Sequence, residues 1–197
     1  MNLYMIRHGQ STANADGTHS GWSCINLTEK GRKQAYAAKK NVEKLNIDKL
    51  FVSDVLRTQQ TADILFPGME RSFITIAREL NTTPMHGKTK EQMTAVFGDL
   101  YLECRDKRDY TPLHIDCESF SHAADRASEV LDMVSKLENV ENVAIVSHAG
   151  FIICIAARVL GLDHFPLNLP CGNVSINHFE YKNGVWSLKM WNLEPEI

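Results

Sequence analysis

A chain of 197 residues that is 44% apolar and 23% charged has the length and composition of one globular domain with a self-sufficient core, which excludes a disordered or fibrous protein. Its formal net charge of −3 gives no bulk reason to bind nucleic acid or an anionic membrane, so any anion site must be a local cluster. Cys24, Cys104, Cys117, Cys154 and Cys171 are scattered, with no CxxC pair and no zinc-like spacing. They read as free thiols, and because Arg7 interrupts the N-terminal apolar run where a signal peptide would continue, the expected compartment is the reducing cytoplasm. The apolar stretch from Val143 to Leu162 is broken by His148, Gly150 and Arg158 and reads as a buried strand followed by a helix, not a membrane span.

The chain opens with Leu3-Tyr4-Met5-Ile6, a buried-strand pattern that runs into Arg7-His8-Gly9. Residues 10–27 are polar and read as a long functional loop in which His19, Trp22 and Cys24 are the bulky members. Thr28 then caps a helix with Gly31 in its first turn and Ala35, Ala38, Val42 and Leu45 on its inner face. Leu50-Phe51-Val52 predicts a second strand, and Ser53 to Arg57 lead into a helix that stops before Pro67 and Gly68. Phe73 to Ile76 alternates as a third strand and delivers Arg78-Glu79-Leu80.

From about 81 to 117 the alternation breaks down. Loops at 81–84 and Gly87, a helix over 90–101 and the charged run Cys104 to Asp109 suggest a helical, lid-like insertion into a single domain spanning 1–197. An amphipathic helix follows from Ser119 to about Leu137, with Phe120, Ala124, Ala127, Val130, Leu131 and Val134 facing inward. Asn142 to Val146 is a buried strand ending in Ser147-His148-Ala149-Gly150, before an apolar helix over 151–160. Residues 173–181 and 185–191 alternate about Lys182-Asn183-Gly184 and predict a terminal hairpin. Its Trp186 and Trp191 suit the core better than a dimer face, and a homodimer is left open.

Strands alternating with helices imply a three-layer α/β/α sandwich on a mostly parallel sheet, with ligands beyond the carboxyl ends of the strands. Arg7 with His8, Arg57, Glu79 and His148 all fall at such ends. A guanidinium beside an imidazole pairs an anion-binding fork with a group that is nucleophilic when neutral, although residue chemistry alone also permits a structural ion pair and ordinary core histidines.

Taken together these segments resemble the histidine phosphatase superfamily, which includes cofactor-dependent phosphoglycerate mutases and many small phosphatases. The resemblance rests on Arg7-His8-Gly9 with Gln10 to Asn14, on Leu27-Thr28 through Gln34-Ala35, on Arg57 to Ala62, on Arg78-Glu79-Leu80 and on Ser147 to Gly150, in family order over nearly the whole chain. It implies a phosphomonoester hydrolase of the small-phosphatase branch, acting on a small phosphorylated substrate with no metal and no cofactor. His8 is the implied nucleophile, forming a phosphohistidine. Arg7, Arg57, His148, Asn14 and the backbone N–H of Ala149 hold the phosphoryl oxygens, and Glu79 is the proton donor. Mutase-type transfer and a non-catalytic phospho-ligand module are the alternatives.

The sequence departs from the family at Thr82 to His86, where only Gly87 keeps the usual pattern, and at Cys24 and Asn26. Were Glu79 misplaced, Glu91 or Glu103 would be its nearest substitutes. His19, Trp22, Cys24 and the patch of Arg105, Lys107 and Arg108 are expected to line or overhang the site and to choose the substrate.

Overall fold

The computed structural model describes residues 1–166 and 168–195. The central sheet is built from β1 (Asn2–Arg7), β2 (Lys49–Ser53), β3 (Arg71–Ile74), β4 (Asn142–Ser147), β5 (Ile176–Lys182) and β6 (Val185–Leu193), in the order β3-β2-β4-β1-β5-β6. The first four strands run parallel, and the terminal hairpin adds β5 and β6 antiparallel. Asn183 and Gly184 turn that hairpin, both at positive φ, as a tight two-residue connection requires.

Two-residue periodicity sorts the strands between two cores. Leu3, Met5, Phe51, Val143 and Ile145 face the helices at Phe120–Ser135 and Ala149–Val159. Tyr4, Ile6, Leu50, Val52, Ala144 and Val146 face the helices at Glu29–Glu43 and Leu56–Leu65. A sheet buried on both faces explains why these strands read as continuous apolar runs. In chain order the helices are α1 (Thr12–Asp16), α2 (Glu29–Glu43), α3 (Leu56–Leu65), α4 (Lys90–Phe97), α5 (Asp99–Lys107), α6 (Phe120–Ser135) and α7 (Ala149–Val159). Trp186 and Trp191 are half-buried against the α6/α7 core, and Trp191 Nε1 donates to Pro170 O at 2.5 Å.

Three expectations need correcting. The segment 10–27 is not all loop: Ser11 accepts from Asn14 N and the Asn14 side chain accepts from Ser11 N, a reciprocal cap that nucleates the short helix α1. The helix expected over 90–101 is two, because Gly98 adopts φ 61 and turns the chain between α4 and α5. The third strand lies earlier than its alternation suggests, and Thr75–Ala77 winds into a 3-10 turn, leaving Arg78 to Asn81 irregular. The inserted segment has its own small core of Met85, Met93, Tyr101, Cys104, Tyr110 and Leu113. All five cysteines are free. Among the described residues no helix is long and apolar enough to cross a membrane.

Candidate active site

The register of two parallel strands places the two histidines. Arg7 pairs with Ser147 across β1 and β4, so His8 and His148, each one residue beyond, lie side by side with ring centroids 5.2 Å apart. His8 N donates to Ser147 O at 3.0 Å, carrying the ladder past the end of the strand. Two motif glycines have a steric reason. A Cβ on Gly9 would lie 2.5 Å from Gly31 O, and one on Gly31 would lie 2.1 Å from Gln10 O, so the turn after His8 fits against the first turn of α2 only if both are glycine.

His8 is almost fully buried, and its Nδ1 lies 2.7 Å from Gly9 O. A carbonyl only accepts, so the proton sits on Nδ1 and the lone pair on Nε2. Arg57 Nε donates to that Nε2 at 3.2 Å. Burial, then the charges of Arg57 and Arg7, holds His8 well below the usual histidine range. His148, wholly enclosed, is lowered in the same way by burial, Arg57, His8 and Arg7. Its Nε2 lies 2.9 Å from Ser53 Oγ at the end of β2.

The two arginines are fixed by backbone carbonyls, not by carboxylates. Arg57, in the first turn of α3, donates to Gly21 O at 2.8 Å and Ser23 O at 3.3 Å, and burial lowers it to about 10, still cationic at neutral pH. Arg7 Nη1 donates to Cys171 O at 2.6 Å. Arg7 Nε and His148 Nδ1 are buried with no hydrogen-bond partner among the described residues. Unpaired buried donors are costly, and here they accompany two cations whose charge acts on His8, an arrangement suited to an anion.

Glu79 sits on the irregular segment beyond β3. Its Oε1 accepts from Leu80 N at 2.9 Å and Phe151 N at 3.1 Å, and its Oε2 from Gly150 N at 3.2 Å. The N-terminus of α7, expected to face phosphate through Ala149, thus also serves the carboxylate through its next two amides. Gly150 permits this approach: a Cβ there would lie 2.4 Å from Glu79 Oε1. Trp22 Nε1 donates to Glu79 O at 2.7 Å, and its indole carries the Arg78 guanidinium 5.0 Å from the ring centroid. Arg78 in turn forms a two-pronged pair with Asp54.

A cavity of about 210 Å³ beside these groups is lined by Asn14, Thr18, His19, Ser20, Glu79, Leu80, Thr82, Arg108, Ala149 and Gly150. Asn14 Oδ1 accepts from Ser11 N and Asn173 Nδ2, which leaves its amide N–H groups for the cavity. Of the expected substrate loop, His19 and Arg108 reach this lining. His19 Nε2 is held 2.7 Å from Tyr101 Oη, and Arg108, at left-handed φ 52, closes α5. Trp22 instead braces Glu79 from behind. Cys24 is exposed, and Arg105 is turned to Asp106, with a contact of 2.5 Å; neither lines the cavity. Lys107 borders a separate cavity with Phe120 and His164. Glu91 and Glu103, the fallback acids, are exposed on α4 and α5.

Sequence reasoning missed Ser53, Gly150 as a spacer, and the buried pair Glu118 and Arg126. Ser53 was open to discovery, since it ends a parallel strand. Arg126 gave only the weak signal of an arginine flanking an apolar helix face.

Two arginines and two histidines gather beyond the parallel strand ends, an arrangement whose chemistry suits an anion. The model of the histidine phosphatase superfamily (branch 1) matches residues 3–194, and the chain belongs to that family. It is 27% identical over 202 residues to an Escherichia coli protein named "Probable phosphoglycerate mutase GpmB", covering 98% of this chain and 91% of that protein. The mycobacterial glucosyl-3-phosphoglycerate phosphatase complexed with VO3 matches with TM-score 0.82 at 28% identity, over 97% of this chain and 98% of that chain. The alpha-ribazole phosphatase of Shigella flexneri shares the fold, with TM-score 0.84 at 22% identity over 98% and 96% of the two chains.

Proposed function

We propose that this protein hydrolyses a small phosphomonoester through a phosphohistidine on His8. The observation that carries this reading is the Nδ1 contact of His8 with Gly9 O at 2.7 Å: it fixes the tautomer and leaves the Nε2 lone pair facing the Arg57 guanidinium. In the first step Nε2 attacks phosphorus in line, the bond from phosphorus to the leaving oxygen breaks, and protonated Glu79 gives that oxygen its proton. In the second step water attacks the phosphoryl group, Glu79 takes the water proton, and the N–P bond breaks to restore neutral His8. Arg7, Arg57, Asn14 and His148 stabilise the transferring oxygens; with Ser53 Oγ donating to Nε2, His148 offers its proton from Nδ1.

The size of the cavity supports a small substrate, and the named activity of the mycobacterial relative supports hydrolysis. Mutase-type transfer is the second reading, favoured by the name of the Escherichia coli relative. Brief incubation with a ³²P-labelled phosphomonoester is expected to leave an acid-labile, alkali-stable label on the wild type and none on His8→Ala. Label on both proteins defeats the assignment. Free phosphate released from a phosphoglycerate supports hydrolysis, and isomerised phosphoglycerate without phosphate release supports the mutase reading.

A further inference from the structure

The proton donor proposed above sits on a stretch that no strand holds. Residues Arg78 to Asn81 have no regular structure, so their backbone groups need partners from elsewhere. One ion pair supplies several of them. Arg126, from the second turn of α6, donates through Nη1 to Ile76 O at 2.6 Å and Arg78 O at 3.1 Å, and through Nη2 to Glu79 O at 3.3 Å. The other edge of the guanidinium forks onto Glu118, Nε to Oε1 and Nη2 to Oε2, both at 2.7 Å. Glu118 also clamps the far end of the stretch. It accepts from Asn81 N at 3.0 Å, while its own N–H donates to Asn81 O at 2.9 Å.

This pair reaches both sides of the carboxylate. The Arg126 guanidinium lies 4.7 Å from the ring centroid of Phe151, whose N–H donates to Glu79 Oε1. Arg126 and Glu118 side chains are only 12% and 4% exposed, and neither lines the cavity that Glu79 enters. Burial pushes the Glu118 carboxyl up, but Arg126, the Asn81 amide and His122 outweigh it and hold it below the usual range, so the pair is ionic. A buried ion pair is a poor source of stability, because an apolar pair of the same volume avoids the desolvation of two charges. What it provides here is placement: Arg126 holds the carbonyls of Ile76, Arg78 and Glu79, and Glu118, locked to it, holds the amide of Asn81.

We propose that Arg126 and Glu118 are positioning residues that hold Glu79 where it can pass a proton to and from the leaving oxygen. This rests on the assignment of Glu79 as proton donor, and the test separates the two. An alkyl phosphate such as glycerol phosphate needs its leaving oxygen protonated, whereas p-nitrophenyl phosphate leaves without that help. Arg126→Lys, which keeps the charge and loses the fork, is expected to lower kcat/KM on the alkyl ester, which reports the step that expels the leaving group, by about 10- to 100-fold, the order of loss for a misplaced catalytic group. Its kcat/KM on p-nitrophenyl phosphate is expected to stay within about threefold, too small a change to reflect a damaged nucleophile. In a Glu79→Gln background the same substitution is expected to add no further loss, because there is no proton donor left to position.

Equal losses on both esters, or full additivity with Glu79→Gln, overturn the positioning role and leave a merely structural pair. If Glu79→Gln alone lowers kcat/KM on both esters equally, the proton-donor assignment itself fails. Should Arg126→Lys not fold, as judged by its near-UV circular dichroism, Glu118→Gln decides. That variant keeps the shape of the side chain and is expected to give the same leaving-group-selective loss; an unselective loss counts against the proposal.

Discussion

The two sides of the site are built in opposite ways. The side proposed to hold phosphate takes Arg7, His8 and His148 from adjoining parallel strands and Arg57 from the first turn of α3, so the ladder that makes the sheet also sets the spacing of these groups. The Glu79 side has no ladder. Its carboxylate is held by the amides of Leu80, Gly150 and Phe151, and its backbone by Trp22 and Arg126, contacts drawn from distant parts of the chain. A nucleophile fixed by strand register should be insensitive to changes in loops, while an acid fixed by scattered loop and helix contacts should be exposed to them.

The largest expected effect tests the first half of that contrast. Arg57→Ala removes the cation that faces His8 Nε2 and is expected to lower kcat by about 10³-fold, the magnitude of losing one preorganised donor to a transition state. The loss should be the same for alkyl and aryl phosphates, because the phosphoryl group is common to both. A loss confined to alkyl esters in a steady-state comparison would blur the division between the two sides. Gly150→Ala tests the other half with a smaller effect. The new Cβ meets Glu79 Oε1, the end of a flexible side chain that yields more readily than the backbone of α7, so the helix survives and the acid is displaced from its amides. About 10- to 100-fold of kcat/KM should be lost on alkyl esters and little on p-nitrophenyl phosphate. A crystal structure of the variant with Glu79 unmoved would sink this account.

The phosphate side also leaves a mark on stability. His8 and His148 are held neutral in the fold by burial and by Arg57, whereas in the unfolded chain each takes up a proton near pH 6.5, as an ordinary histidine does. Their folded pKa values lie below the unfolded ones, so the unfolded state binds more protons as pH falls. Stability is therefore complete above about pH 6.5 and declines below it, by up to about 1.4 kcal/mol per pH unit for each histidine. His19 and His178, lowered chiefly by burial, contribute in the same direction. Urea unfolding at stepped pH between 5.5 and 7.5 should show this slope, and His148→Asn should flatten it. A slope unchanged in the variant would mean that His148 titrates alike in both states.

This division also governs what could be read from the sequence. Leu3 to Ile6 and Val143 to Val146 are apolar on both faces because both faces are covered, so the strands, their ends and the residues delivered there were legible. Thr28 and Gly31 were legible for the same local reason, a cap and a turn packed against its neighbour. Gly98 showed no sign in the helical pattern of the break it makes, since a lone glycine is tolerated within many helices. The contacts of Trp22, Glu118 and Arg126 with the Glu79 segment span tens of residues with no periodicity behind them. No pattern of spacing encodes such contacts.

The smallest effects concern the choice of substrate, where the comparison extends to the inserted segment. Arg108 and His19 line the cavity, and burial followed by the charge of Arg108 lowers His19, which leaves it neutral and Arg108 the local cation. Arg108 Nε is buried without a hydrogen-bond partner among the described residues, and its guanidinium lies 5.1 Å from the ring centroid of Phe165. A substrate carrying a second anionic group is therefore expected to gain from Arg108, and a monofunctional one is not. Arg108→Ala should lower kcat/KM for phosphoserine or a phosphoglycerate by about fivefold, the worth of a partly solvated ion pair, with p-nitrophenyl phosphate held within about twofold. Arg105→Ala and Cys24→Ala should leave both classes within about twofold, since neither side chain reaches the cavity and exposed changes of this kind are nearly neutral. A larger loss for Arg105→Ala than for Arg108→Ala would mean that the inserted helices close over the substrate in a second arrangement and bring α5 inward about the turn at Gly98.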